Sequence, residues 1–441
     1  MDRPRLVAAN IPMDARDSIL DRYRGVRAVT EALAARLHAE DQVVQSMPDV
    51  SPTKWHRAHT TWFFETFLLA AAQQQYRPYH PEFAFLFNSY YEAAGPRHAR
   101  VERGLLSRPT VAEVTSYRAH VDLAMASLIS DTGDRDWLGL APLVELGLHH
   151  EQQHQELMLM DIKHVFSVNP LDPTYHDAPF PEAGSSPTGW IDYEGGLVAI
   201  GHDTSDPTSG FAFDNEGPRH SVYLEPFRIA DRLVTAGEWT QFIDDGGYEQ
   251  PALWLSDGWH TARSRGWTAP LYWRRDEGDW TVFTLSGRRP LTSAEPVVHV
   301  SHYEADAFAR WAGARLPTEF EWEHAVTNLP VAGHLLPAMP EDIALAPMHP
   351  TAAPPPEHPG RQRQAFGDVW QWTASAYLPY PRFQVAQGAV GEYNGKFMSG
   401  QMVLRGGACI TPAGHVRPTY RNFFPPASRW MFGGLRLAAS A

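Results

Sequence analysis

The sequence predicts an α+β protein of more than one domain, a helical bundle followed by a strand-containing region. Two observations lead there. Residues 15 to about 172 hold four long segments whose apolar residues recur every three or four positions, the period of a helix with one buried face. After NPLDPTY (169–175) the texture changes: apolar runs shorten, aromatic residues crowd in, and Gly and Pro interrupt the chain repeatedly. A chain of 441 residues, 43% of them hydrophobic, is long enough to bury two or three separate cores.

The elements follow in order. The first helix is expected in DSILDRYRGVRAVTEALAARLHAEDQVVQ (17–45), and the second in SPTKWHRAHTTWFFETFLLAAAQQQ (51–75). There Ser51 suits the capping position and Pro52 the first turn. A third, TVAEVTSYRAHVDLAMASLIS (110–130), follows an Arg-Pro pair, and the fourth is LAPLVELGLHHEQQHQELMLMDIKHVFS (140–167). Four amphipathic helices joined this way predict a bundle spanning 15–172. Residues 173–189, rich in Pro, Gly and Ser, read as a linker, and 190–441 as the second domain. Only two helices are expected in it, around VTAGEWTQFIDD (234–245) and SHYEADAFARWAGA (301–314). The Pro-rich stretch 329–364 reads as a long surface loop, and no internal repeat is evident.

Charge and composition narrow the function classes. Lys and Arg number 37 against 51 acids, a formal charge of −14, which argues against nucleic acid as a partner because polyanion binding leaves a basic footprint. The single cysteine, Cys409, excludes an intrachain disulfide framework and reads as a small buried hydrophobe. The first eighteen residues lack the apolar core of a secretory signal, and the run FLLAAA is too short to span a bilayer, so no membrane role and a cytoplasmic location are expected.

The chemistry concentrates in HHEQQHQELMLMDIKH (149–164), which carries four histidines. On a helix His150 and His154 stand one turn apart on one face, and Gln153 lies beside them. Glu156 is about 200° round from His154, so it cannot join the same ligand set. It could orient a ligand histidine from behind or make a surface ion pair. His149 and His164 read as surface or packing residues. Two histidines make half a metal site, and facing bundle helices supply the rest. His56 and His59 on the second helix are the candidates. Imidazole ligands suit Zn, Cu, Fe and Ni, so three histidines with open positions fit a hydrolytic zinc or an oxygen-activating iron, and spacing alone leaves both open. Asp214 and Glu216 in FDNEGP read as loop-shaping hydrogen-bonding residues.

These residues resemble a known family, the EgtB-type sulfoxide synthases, or hercynine oxygenases, of ergothioneine biosynthesis. HHEQQHQE matches that family's His-x3-His-x-Glu motif. The likeness continues through SPTKWHRAHTTWFFE, LFNSYYEAAGPRHAR, FAFDNEGPRHSVYLEPF and TYRNFFPP, over nearly the whole chain. RLPTEFEWEHA, GDVWQWTAS and VLRGGAC are similar to signatures of the formylglycine-generating enzyme. The resemblance implies a DinB-like four-helix bundle joined to a C-type-lectin-like domain, and names non-haem Fe(II) as the cofactor.

Carried over residue by residue, it implies His59, His150 and His154 as iron ligands, with His56 the weaker choice. Gln153 falls at the substrate imidazole, where an amide can donate or accept. Asn422 and Phe423 stand near the substrate. Mycobacterial-type members carry a catalytic tyrosine on the loop before VLRGG, near Val390 and Tyr393 here. This chain has Tyr90 and Tyr91 in LFNSYY, as in a second branch, so this pair is expected to supply the catalytic phenol. Phe424 replaces an acid, which favours free cysteine over γ-glutamylcysteine as the thiol. Tyr393, Phe424 and Arg97 complete the expected substrate contacts, and aromatic residues of the second domain could face the quaternary ammonium of hercynine. The substrates so implied are small molecules: hercynine, O2 and a thiol. A selenosugar in place of the thiol, as in a selenoneine synthase, is the alternative within the same chemistry. A non-catalytic lectin-like binding module and a zinc-dependent thiol transferase are alternatives of other classes.

Overall fold

The computed structural model describes residues 16–178, 184, 187–206, 208–356, 360–385 and 389–441. The first part is helical: α1 (Arg16–Ala34), α2 (Thr53–Phe64), α3 (Val111–Asp131) and α4 (Asp134–Ser167). α2 packs against α3 and α4, and α1 against α3 and α4, which closes a four-helix bundle. α3 begins with a reciprocal capping box between Thr110 and Glu113. The expected cap at Ser51 is not formed. Pro52 takes the N-cap position, the Ser51 N–H donates to Asp161 Oδ2 (2.8 Å), and its hydroxyl accepts from Arg103 (2.9 Å). α1 also ends at Ala34, eleven residues short of the expected span.

Two features set how α2 and α4 meet. At Gly147 of α4 an added Cβ would lie 2.5 Å from Phe64 Cε1, so glycine is what lets the two helices approach. Glu151, fully buried, accepts from Arg27 (2.8 Å), Arg118 (2.8 Å) and Thr30 (2.7 Å). These bonds from α1 and α3 fix the rotation of α4, so the adjacent His150 faces α2. Past Phe64, α2 widens into a π-turn at Glu65–Leu69, whose Glu65 accepts from the hydroxyls of Tyr76 and Tyr117.

The second domain is built of short strands. Its central four-stranded sheet combines β10 (Trp370–Ala376), β11 (Met402–Arg405), β12 (Asn422–Phe424) and β13 (Gly433–Gly434) in the order β12-β11-β10-β13. Antiparallel pairing of β11 with β12 sets Leu404 opposite Asn422 and Val403 opposite Phe423. A second sheet joins the start of the domain to its end: β1 (Trp190–Tyr193), β4 (Phe227–Ala230) and β14 (Ala438–Ser440). Two hairpin-type sheets, β2–β3 (Gly196–Ile200, His220–Leu224) and β5–β6–β7 (Trp273–Asp276, Asp279–Thr284, Gly287–Pro290), complete most of it, with the short parallel pair β8–β9 (Gly333–His334, Phe366–Gly367).

Among the described residues the domain has four α-helices where two were expected. α5 (Ala236–Asp244) and α7 (His302–Trp311) were anticipated; α6 (Ser256–Ser264) and α8 (Glu319–Val326) were not. They span nine and eight residues. The stretch 329–364 is not simply a surface loop: Leu336, Ile343, Met348 and His349 are buried, and Leu336 bridges to Pro412. Of the expected linker, residues 179–183 and 185–186 lie outside the described residues. Before them, the backbone N–H groups of Tyr175 and His176 donate to Leu285. Among the described residues no helix is long and apolar enough to cross a membrane.

Candidate active site

α2 and α4 bring His59, His150 and His154 together, with one ligand atom of each within 4.8 Å of the others. His59 Nε2 lies 3.2 Å from His150 Nε2. Among the described residues this is the one cluster of three or more potential ligands. The ring of His59 is held on both sides by α2 itself. Trp55, one turn before, stacks on it at 4.7 Å and Trp62, one turn after, at 5.4 Å. His59 Nδ1 donates to the Phe87 carbonyl (2.6 Å), which leaves Nε2 with its lone pair for a metal. Burial depresses the basicity of all three rings, His150 to about 3, so they are uncharged at neutral pH, the state a metal requires. The site therefore fits a metal held by three neutral imidazoles.

His56 does not join the triad. It sits behind His154, with Nδ1 2.8 Å from His154 Nδ1 and Nε2 3.0 Å from Asp161 Oδ2.

Beside the triad lies a cavity of about 190 Å³ at the seam of the two domains. Gln153 from α4 and Tyr90 from the bundle line one side, and Phe213, Tyr393, Phe397, Tyr420, Asn422 and Phe423 line the other. The Tyr393 ring is 5.7 Å from the His150 ring, and its hydroxyl donates to Gln153 Oε1. Gln153 Nε2 donates one hydrogen to Tyr420 Oη (2.7 Å), leaving its second N–H free to face a ligand. The amide is thus oriented by two phenols from the second domain.

The other expected residues fall in different places. Tyr90 lines the cavity and stacks on Tyr91 at 4.6 Å, while Tyr91 is wholly buried behind it against Trp62 and Phe67. Burial pushes both phenols up, so both keep their protons at neutral pH. Phe424 packs against Trp430 (5.6 Å) and is not part of the cavity wall. Arg97 is not part of it either; its exposed guanidinium pairs with Glu92 at 2.5 Å. Val390 lies in the turn Ala389–Glu392, three residues before Tyr393.

Glu156 takes neither role expected of it. It is buried, accepts from Trp370 Nε1 and Thr411 Oγ1 (each 2.6 Å), and so ties α4 to the second domain. His149 is a packing residue, stacked on Phe211 at 4.1 Å. His164 is partly buried and bonded to Ser46 (2.7 Å). Asp214 accepts from Asn394 (2.7 Å), and Glu216 from Arg417 and Thr419, as loop-shaping residues do. Cys409 is buried and unpaired.

Several residues escaped the sequence reading, among them the cavity-wall rings Phe213, Phe397 and Tyr420. Asn215, from the same FDNEGP motif, reaches the cavity wall with a buried Oδ1 that accepts no hydrogen bond there. Arg103 is buried, its guanidinium 3.4 Å from the Trp55 ring centroid, with no carboxylate at ion-pair distance among the described residues. Its place in RVERGLLSRP offered no periodic signal.

Comparisons with known proteins place the chain as a whole. The family model described as a sulfatase-modifying factor enzyme 1-like domain matches residues 177–335 and 349–441. The chain is 35% identical over 450 aligned residues to the hercynine oxygenase of Mycolicibacterium smegmatis, covering 97% of this chain and 99% of that protein. It is 34% identical to the hercynine oxygenase of Mycobacterium tuberculosis, covering 89% and 91%. The chain is also 33% identical over 174 residues to the formylglycine-generating enzyme of Streptomyces coelicolor, covering 34% of this chain and 52% of that one. With likeness of this degree along nearly its whole length, the chain belongs to the hercynine oxygenase family.

Proposed function

We propose that this protein is a non-haem Fe(II), O2-dependent sulfoxide synthase that joins a thiol, cysteine by preference, to the imidazole C2 carbon of hercynine. The observation that carries the reading is the convergence of three neutral imidazoles beside a cavity walled by aromatic rings and amides from both domains. A non-catalytic lectin-like module has no use for that convergence. The overall reaction balances without a further reductant. The thiol hydrogen and the C2 hydrogen leave with one oxygen atom as water, and the other oxygen ends on sulfur.

His59, His150 and His154 would hold the iron, which when bound supplies sites for the thiolate and O2 and the redox chemistry between them. The remaining work falls to the chain. Gln153, set by Tyr393 and Tyr420, presents its free N–H to a ring nitrogen of hercynine. Phe213, Phe423 and Phe397 give the trimethylammonium group a low-polarity, π-rich surface. Where mycobacterial-type members carry an acid this chain has Phe424, packed on Trp430 outside the cavity wall, so no side-chain acid stands there for the larger γ-glutamylcysteine and cysteine is favoured. The phenol facing the cavity with no role in orienting Gln153 is Tyr90, and it is the proton donor of the Tyr90–Tyr91 pair.

The test is incubation of the anaerobically purified protein with Fe(II), O2 and hercynine, supplied in turn with cysteine, γ-glutamylcysteine and a selenosugar, and read by mass spectrometry. A hercynyl sulfoxide formed fastest with cysteine is the expected result. A selenium adduct formed in preference would replace the thiol assignment, and O2 uptake that does not depend on hercynine would overturn the reading.

A further inference from the structure

The three ligand histidines are backed in three different ways. His59 donates Nδ1–H to a backbone carbonyl, and His150 Nδ1 is buried with no partner. His154 Nδ1 faces a second imidazole, His56, which in turn faces Asp161. All three of these groups are buried.

The direction of the bonds in that row can be deduced. Asp161 collects three N–H contacts: Ser51 N (2.8 Å) and His56 Nε2 (3.0 Å) on Oδ2, and Trp430 Nε1 (3.1 Å) on Oδ1. A carboxylate accepts only, so the proton of His56 is on Nε2. A neutral His56 then has a bare Nδ1, which can only accept. The 2.8 Å contact between the two Nδ1 atoms therefore requires that His154 donates Nδ1–H. Its Nε2 is left with the lone pair, pointing to the triad. One carboxylate thus fixes the tautomer of two rings in series.

We infer that His56 and Asp161 are positioning residues for the metal centre, holding His154 in its ligating tautomer. Asp161 also carries the indole of Trp430, a residue of the second domain, so docking of that domain supports the same row. The inference rests on the reading of His59, His150 and His154 as a metal site.

Three substitutions separate tautomer control from packing. His56→Phe removes the acceptor but keeps a ring. His56→Gln restores it, since an amide can accept from His154 and donate to Asp161. Asp161→Leu removes the acceptor that fixes the proton on His56 Nε2, whereas an asparagine would keep one there, because its oxygen has to face the Ser51 N–H on the same side. The measurement is anaerobic titration with Co(II) under chelator competition, with the visible spectrum of the bound metal recorded for each protein and metal-free melting as the control on folding.

Loss of such a supporting partner costs about 10–100-fold in metal affinity. That loss, with an altered Co(II) spectrum, is expected for His56→Phe and Asp161→Leu, and affinity close to wild type for His56→Gln. Wild-type affinity and spectrum in Asp161→Leu would overturn the inference, as would equal losses in His56→Gln and His56→Phe. Wild-type protein that binds no Co(II), or His154→Ala that binds as tightly as wild type, would instead overturn the metal site itself.

Discussion

Changing Glu151 to Gln should cost the bundle about 3–5 kcal/mol, the usual penalty for breaking a buried ion pair by removing one partner. Glu151 is fully buried and shared by two buried arginines, Arg27 and Arg118, each at 2.8 Å. A glutamine leaves one acceptor oxygen for two guanidinium groups and uncovers charge in a place water does not reach. A second route to the magnitude agrees. Burial alone would raise the Glu151 carboxyl, but Arg27 and Arg118 outweigh it and hold the group at about 2, against 4.5 ordinarily. Each tenfold in acidity is worth 1.36 kcal/mol, which gives about 3 kcal/mol. Because the folded value lies below the unfolded one, this contribution is present above about pH 4.5 and is lost as pH falls towards 2. The assay is urea unfolding of the metal-free protein followed by helical circular dichroism at pH 7. Asp21→Asn is the control: Asp21 and Arg24, 3.7 Å apart on α1, are 77% and 63% exposed, and an exposed pair is worth about 1 kcal/mol at most. Equal, small effects of the two substitutions would refute the claim that the buried pair sets the rotation of α4.

Gly147→Ala places a methyl group 2.5 Å from Phe64 Cε1, so α2 and α4 must separate; overpacking of about 1–3 kcal/mol should exceed the helix-propensity gain of about 1, and metal titration should show weaker binding. His59→Ala and His154→Ala should each lose stoichiometric metal, read by elemental analysis, while second-domain near-ultraviolet circular dichroism is retained; full occupancy in either would remove that residue from the ligand set. Tyr90→Phe should keep fold and metal but divert turnover from sulfoxide to oxidised thiol, because general acid catalysis is typically worth about 10²–10⁴-fold. Tyr91→Phe, buried behind it, should stay close to wild type; product ratios measured by mass spectrometry for both decide between them.

The ligand pair on α4 was legible because a helix repeats every 3.6 residues, so His150, Gln153 and His154 must share a face whatever surrounds them. What lies opposite that face was not. His56 and His59 differ by one helical step, and only the packing of Trp55 and Trp62 around His59 shows which ring turns to the triad. Glu156 was read within its own helix, yet its partners Trp370 and Thr411 lie more than 200 residues on. Tyr393 came within reach through the family resemblance, not through any local pattern; its bond to Gln153 spans 240 positions. Asn215 was overlooked because its neighbours Asp214 and Glu216 read as turn formers, which they are. Of the two missed helices, α8 did carry a signal, since Thr318 and Glu321 form a capping box in LPTEFEWEHA. α6 has no side-chain cap and packs against α7.

The central claim, an Fe(II)-dependent coupling of hercynine to a thiol, is tested most directly by a single turnover experiment. Metal-free protein is loaded with Fe(II), supplied with hercynine, cysteine and 18O2, and the products are read by mass spectrometry. The expected result is a hercynyl cysteine sulfoxide carrying one 18O atom, formed with Fe(II) and absent with Zn(II). Product formed equally well with Zn(II), or cysteine oxidised with hercynine left unchanged, would contradict it.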